Sequence, residues 1–132
     1  MGEKNADNKE KNKALQHYVE AHSDNRKEFI GFDINNLIYI TSQGNYASFF
    51  LKKENSYDLK EEILRVTLSK IESNLKNYSS IIRCHKSYII NTSYIDDITG
   101  NARGYLLKSK FLSFEIPVSR KFSKNSLFGL LR

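Results

Sequence analysis

The chain has 132 residues, 39% of them hydrophobic, with eight Phe, eight Tyr, no Trp and a net charge of +6. That length suits one compact domain, and the apolar content excludes a wholly disordered chain. No apolar run approaches the roughly 18 residues of a membrane span, the opening "MGEKNADNKEKNK" lacks the apolar centre of a secretion signal, and a single cysteine closes no internal disulfide, which fits a cytoplasmic setting.

Residues 1–27 are dense in Lys, Asn and Glu, with Tyr18 as the one aromatic. Ala14, Leu15, Tyr18 and Val19 stand at helical spacing, so "NKALQHYVEAH" is predicted as a short helix, too short to be stable alone. This region reads as a polar linker or connecting helix, and residues 28–132 as the folded domain. From Glu28 the texture changes to short runs rich in Ile, Phe and Tyr: "EFIGF", "LIYIT", "YASFFLK", "YDLKEEIL", "YSSIIRC", "SYIIN", "YIDDI", "RGYLLK" and "FLSFEIPV". Each has strand length and is bounded by polar clusters, with turns expected at "INN", "QGN" and "GNARG". One helical pattern intervenes, Leu64, Leu68, Ile71 and Leu75, with Thr67 as its N-cap. A second helix is expected after Pro117, with Phe122, Leu127, Leu130 and Leu131 as its apolar side. The fold class is therefore mostly β with one or two short α-helices.

Cys84 beside His85 suggests a nucleophile and its base. On a strand, however, neighbouring side chains point to opposite faces. Ile82 and Cys84 would share one face and Arg83 and His85 the other, so the pair cannot meet as a dyad. Cys84 reads as a small buried apolar residue. One Cys and one His without further spaced ligands make no metal site. Asp96–Asp97 and Glu61–Glu62 are adjacent rather than convergent, and no phosphate-binding glycine motif occurs. The residues give no sign of an enzyme, a metal or a cofactor.

Charge is unevenly placed. Residues 98–132 hold seven Lys and Arg against Glu115 alone, while residues 1–28 and 29–97 are each balanced. Such a concentration suits a polyanion-binding surface or simply a soluble basic domain. If Ser119 begins the second helix, Arg120, Lys121 and Lys124 fall in its first turns, against the helix dipole. A phosphate at that end would account for them, and so would a solvated basic helix.

"IIRCHKSYIINTSYIDDI", followed by "IPVSRKF", resembles the LytTR (LytR/AlgR-type) DNA-binding domain of bacterial transcription regulators. The matching residues are Arg83, His85, Lys86, Ser87, Tyr88, Ile89, Ile90, Asn91 and Ile95, then Val118, Ser119 and Arg120. Upstream, "LIYITSQGNYASFFL" resembles the family's strand–turn–strand with Gly-Asn-Tyr at its tip, and "ILRVTLSKIESNL" its Arg-x-x-Leu helix. The likeness spans about residues 29–131.

The resemblance implies a compact, elongated β fold that inserts loops into successive major grooves of double-stranded DNA. It implies direct-repeat sites, a second copy of the chain on the same duplex, and an upstream regulatory or sensory domain such as a phosphorylatable receiver of a two-component system. Residues 1–27 are too short to hold a receiver, so the chain is expected to be a stand-alone regulator or a fragment, the polar lead favouring a fragment. DNA-binding residues carried over are Asn45, Tyr46, Lys86 and Arg120, with Arg120 the strongest base contact. Lys121, Lys124 and Arg65 are phosphate neighbours or solvated surface. Lys86 stands where the family most often has Arg, which keeps the charge but loses the bidentate fork. Arg83, His85, Ser87 and Asn91 are assigned to structuring the loop. Rival readings are a single-stranded nucleic-acid binder, given the many Tyr and Phe, and a protein-interaction module.

Overall fold

The computed structural model describes residues 17–130. Its strands are β1 (Tyr18–His22), β2 (Phe29–Asp33), β3 (Leu37–Gln43), β4 (Tyr46–Lys52), β5 (Leu59–Leu64), β6 (Ile81–His85), β7 (Tyr88–Asn91), β8 (Asp97–Asn101), β9 (Gly104–Lys108) and β10 (Ile116–Pro117). Two short helices, α1 (Leu68–Asn74) and α2 (Lys124–Leu130), complete the described residues. The mostly-β expectation holds.

A five-stranded antiparallel sheet, ordered β5-β4-β3-β7-β6, is the centre of the molecule. Alternation along β4 sends Ala47, Phe49 and Leu51 to one face and Phe50 to the other. The first face buries Leu37, Ile40, Phe49, Leu64 and Ile89 against Ala21 and Phe32 of the β1–β2 hairpin and Leu68, Ile71 and Leu75 of the α1 segment. The second buries Ile38, Tyr39, Cys84 and Ile90 against Leu107, Ile116, Val118 and Leu127, from the three-stranded sheet β10-β9-β8, the segment after it and α2. A register shift between Leu37 and Tyr39 lets the adjacent Ile38 and Tyr39 serve the same cluster. Each fully buried Leu or Ile contributes about 1.5–3 kcal/mol, so both faces are needed to hold the sheet.

Local signals held where they were strongest. Thr67 caps α1, its hydroxyl accepting from the Lys70 N–H at 3.3 Å. "INN" forms a 3-10 turn, capped by Asp33. The β3–β4 turn is Gly44–Asn45, with Gly44 at φ +62°, a region glycine enters without strain.

Three expectations are corrected. Tyr18–His22, read as the end of a linker or connecting helix, is a strand that pairs residue for residue with β2. The helical stripe was misleading because Val19 and Ala21 turn inward at period two, while the Tyr18 ring lies over Gly31, where any side chain would collide with it. Residues 12–16 of that stripe lie outside the described residues. "FLSFEIPV" yields only the two-residue β10, because Lys110–Phe111 turn and the chain must cross to β9. The last helix begins at Lys124 rather than Ser119, so Arg120 and Lys121 sit in a turn before it. Ser119 is tied by its N–H to the Cys84 carbonyl at 2.7 Å, and Ser123 is the residue whose hydroxyl accepts from the helix, at the Ser126 N–H.

Candidate nucleic-acid interface

Strand direction gathers the candidate residues at one end of the central sheet. β3 ends at Gln43 opposite Tyr46, β5 ends at Leu64 opposite Ala47, and β6 ends at His85 opposite Tyr88. The Gly44–Asn45 turn, Arg65 and the Lys86–Ser87 turn therefore share that end. Asn45 and Tyr46 are exposed, and the Arg65 guanidinium stands 5.7 Å from the Tyr46 ring centroid.

The 84–87 loop is held from several sides. Ser87 lends its carbonyl to the Ser42 N–H and the Thr41 hydroxyl, both at 3.1 Å. Its own N–H donates to His85 Nδ1 at 3.1 Å. Arg83 reaches the Lys86 carbonyl at 2.7 Å with one terminal nitrogen, and Ser69 at 3.0 Å and Glu72 at 3.4 Å on α1 with the other. Its guanidinium is thus turned into the protein, joining helix to loop. Asn91 is buried at the far end of β7, where its amide nitrogen donates to the Leu37 carbonyl at 2.9 Å and its oxygen accepts from the Ser93 N–H at 3.0 Å. With those bonds in place Lys86 is left exposed at the loop tip.

The bond from Ser119 to Cys84 brings the second basic segment onto this loop. Two adjoining hollows result, sharing His85, Lys86 and Ser119. One, of about 230 Å³, adds Glu72, Arg83 and Lys121. The other, of about 410 Å³, adds Val118, Arg120 and Arg103. Arg103 comes from the β8–β9 turn and was missed in the sequence beyond its share of the local charge. Its only signal was a positive residue in the "GNARG" turn, and nothing local says which loop it will face. Lys124 stands apart from both hollows, its Nζ 5.9 Å from the Phe128 ring centroid.

Cys84 is fully buried, and burial pushes its thiol up to about 12. At neutral pH it is a protonated packing residue with no thiolate to offer. Among the described residues no cluster of three His, Cys, Asp or Glu is arranged to hold a metal ion. None of their helices is long and apolar enough to cross a membrane. What the end of the sheet presents is a set of cations on short, braced loops, a surface whose charge suits a polyanion.

The comparisons with known proteins agree with that class. The model of the LytTr DNA-binding domain family matches residues 27–127. The chain belongs to the LytTr DNA-binding domain family. In structure it is similar to the LytTr DNA-binding domain of a protein described as a putative methyl-accepting/DNA response regulator from Bacillus cereus. The two share 21% identity and a TM-score of 0.60 over 86% of this chain and 97% of the other, a likeness of fold. No curated protein matches the chain.

Proposed function

We propose that this chain is the sequence-reading module of a bacterial transcription regulator, binding double-stranded DNA by loops in the major groove. The observation that carries the reading is the convergence of Lys86, Arg103 and Arg120 around His85 and Ser119, the Lys86 and Arg120 loops being tied by the Ser119–Cys84 bond and the Arg103 hairpin by the Val118 N–H to the Tyr105 carbonyl at 3.0 Å. Arg120 reads a base, since a guanidinium fits the O6/N7 edge of guanine and discriminates by roughly 1–3 kcal/mol. Lys86 contacts the adjoining base or phosphate, and Asn45 and Tyr46 enter from the neighbouring turn. Lys121 and Lys124 neutralise phosphates. Repeated sites would place a second copy on the same face of the duplex, and an upstream sensory or receiver domain would govern access.

Gel-shift competition tests the reading. Duplexes selected from a random pool should be retained against single strands of the same sequence, with affinity falling steeply as salt rises. Equal or tighter binding of single strands would overturn it in favour of base stacking.

A further inference from the structure

The β1–β2 turn, residues 23–28, also lies at the basic end. The Asp24 N–H donates to the carbonyl of Arg65 at 2.9 Å, and the Asp24 carboxylate pairs with Lys70 at 2.8 Å. Inside the turn, the Ser23 N–H meets the Glu28 carbonyl at 2.9 Å and the Ser23 hydroxyl accepts from the Glu28 N–H at 3.1 Å. The Asn25 side chain accepts from the Lys27 N–H at 2.9 Å. Arg26 and Lys27 are exposed at the tip, and neither forms an ion pair among the described residues, whereas Asp24 is already neutralised.

Arg26 is held at φ +62°, and among the described residues the other non-glycine residue with positive φ is Asn55. Asparagine tolerates that region, but an arginine there costs of order 1–3 kcal/mol. Glycine would meet the backbone requirement without that cost. A long cation kept in a strained, rigid and unpaired position suggests a task for its side chain.

The place of the turn indicates the task. It joins the chain just after β5, one edge of the five-stranded sheet, whereas Arg120 is tied to β6, the other edge. Four strand spacings of about 4.8 Å separate those edges by about 19 Å. Half a turn of B-DNA is roughly 17–18 Å. With the Arg120 loop in a major groove, a point half a helical turn away on the same face falls at the narrow minor groove, where the cations of the 23–28 turn would meet the phosphates that flank it.

We infer that Arg26 and Lys27 form a second, sequence-independent phosphate-binding site that fixes the domain's orientation on the duplex. This rests on the duplex-binding reading above. The test is the doubly substituted chain Arg26→Gly/Lys27→Ala, measured by fluorescence anisotropy between 50 and 200 mM salt on a selected duplex and on a random duplex. The slope of log affinity against log salt should flatten by roughly 0.9 for each phosphate no longer neutralised, about 1.8 for both. Both duplexes should weaken by the same factor, because phosphate contacts carry no sequence information. Glycine relieves the strained φ, so the melting temperature should be kept or raised. The charge-preserving Arg26→Lys should retain the wild-type slope. An unchanged slope in the double variant, with or without reduced thermal stability, overturns the inference and leaves the duplex-binding reading standing. Failure of the wild-type chain to prefer duplex over single strands overturns both.

Discussion

Arg120, Lys86 and Cys84 illustrate how position decides what a reactive-looking side chain does. Arg120 is exposed beside a loop whose backbone is pinned by the Ser119–Cys84 bond, so replacing it takes away an exposed cation and not a support. Arg120→Ala should erase discrimination between selected and random duplex, a loss of roughly 1–3 kcal/mol, with an unchanged melting curve. Persistence of discrimination would reassign the base contact. Lys86→Ala should weaken both duplexes, and Lys86→Arg should be tolerated, since the side chain is exposed at a tip with room around it. Cys84 behaves oppositely. Its thiol is fully buried, 3.8 Å from the carbonyl oxygens of Tyr88 and Pro117. Cys84→Ser should cost about 1–3 kcal/mol of stability with little change in DNA affinity, read from urea midpoints and anisotropy. The thiol is raised from 9.0 to about 12 on folding, so the folded state holds its proton more tightly than the unfolded one. Its contribution is fully present below pH 9 and lost between pH 9 and about 12, at about 1.4 kcal/mol per pH unit. Tyr39, raised by burial from 10.0 to about 12, adds a loss of the same sign over the upper part of that window. Replacing Cys84 by alanine should flatten the alkaline fall in melting temperature between pH 9 and 10, below the range in which Tyr39 acts.

Among the elements, the bond between α1 and the 84–87 loop matters most for the site. Arg83 donates to the Lys86 carbonyl and to Ser69 and Glu72, so one side chain sets the loop's height above the helix. A hydrogen bond from a charged donor is worth about 1.5–3 kcal/mol where it is shielded. Arg83 is partly solvated, so Arg83→Ala should cost about 1–2 kcal/mol in urea unfolding, at or below the lower end of that range. It should also weaken duplex binding several-fold with sequence preference retained, because the loop loosens while Arg120 remains. A change in preference would mean that Arg83 itself touches bases. The short elements also show what local residues decide. Thr67 and Asp33 supply caps through their own side chains, and Gly44 meets a turn's φ by lacking a Cβ, so these features are legible in a few consecutive residues. The start of α2 was misread by several residues, because Ser119 and Ser123 are both credible caps and only the bond to β6 separates them.

For the molecule as a whole, the relevant quantity is the sum of charge at one end of the sheet. Arg65, Lys86, Arg103, Arg120 and Lys121 come from four separate connections, and they outnumber the one acid, Glu72, that lines the same hollows. If about six phosphates are neutralised, affinity should fall roughly a thousandfold between 50 and 200 mM salt. A fall of less than tenfold would indicate a surface that meets one or two phosphates, too few for this arrangement.

The sequence by itself determined the β character of the chain, the turns at 34–36 and 44–45, the cap of α1 and the motif residues from Arg83 to Asn91. Those features depend on side-chain chemistry within a few residues or on a pattern repeated along one strand. Tertiary structure alone decided that Tyr18–His22 is a strand, that Arg103 stands beside Arg120, and that Arg26 is carried to the basic end. Each depends on pairing between residues far apart in the chain. Strand order and the hydrogen bonds from Ser119 to Cys84 and from Asp24 to Arg65 set those pairings, and no window of neighbouring residues contains both partners.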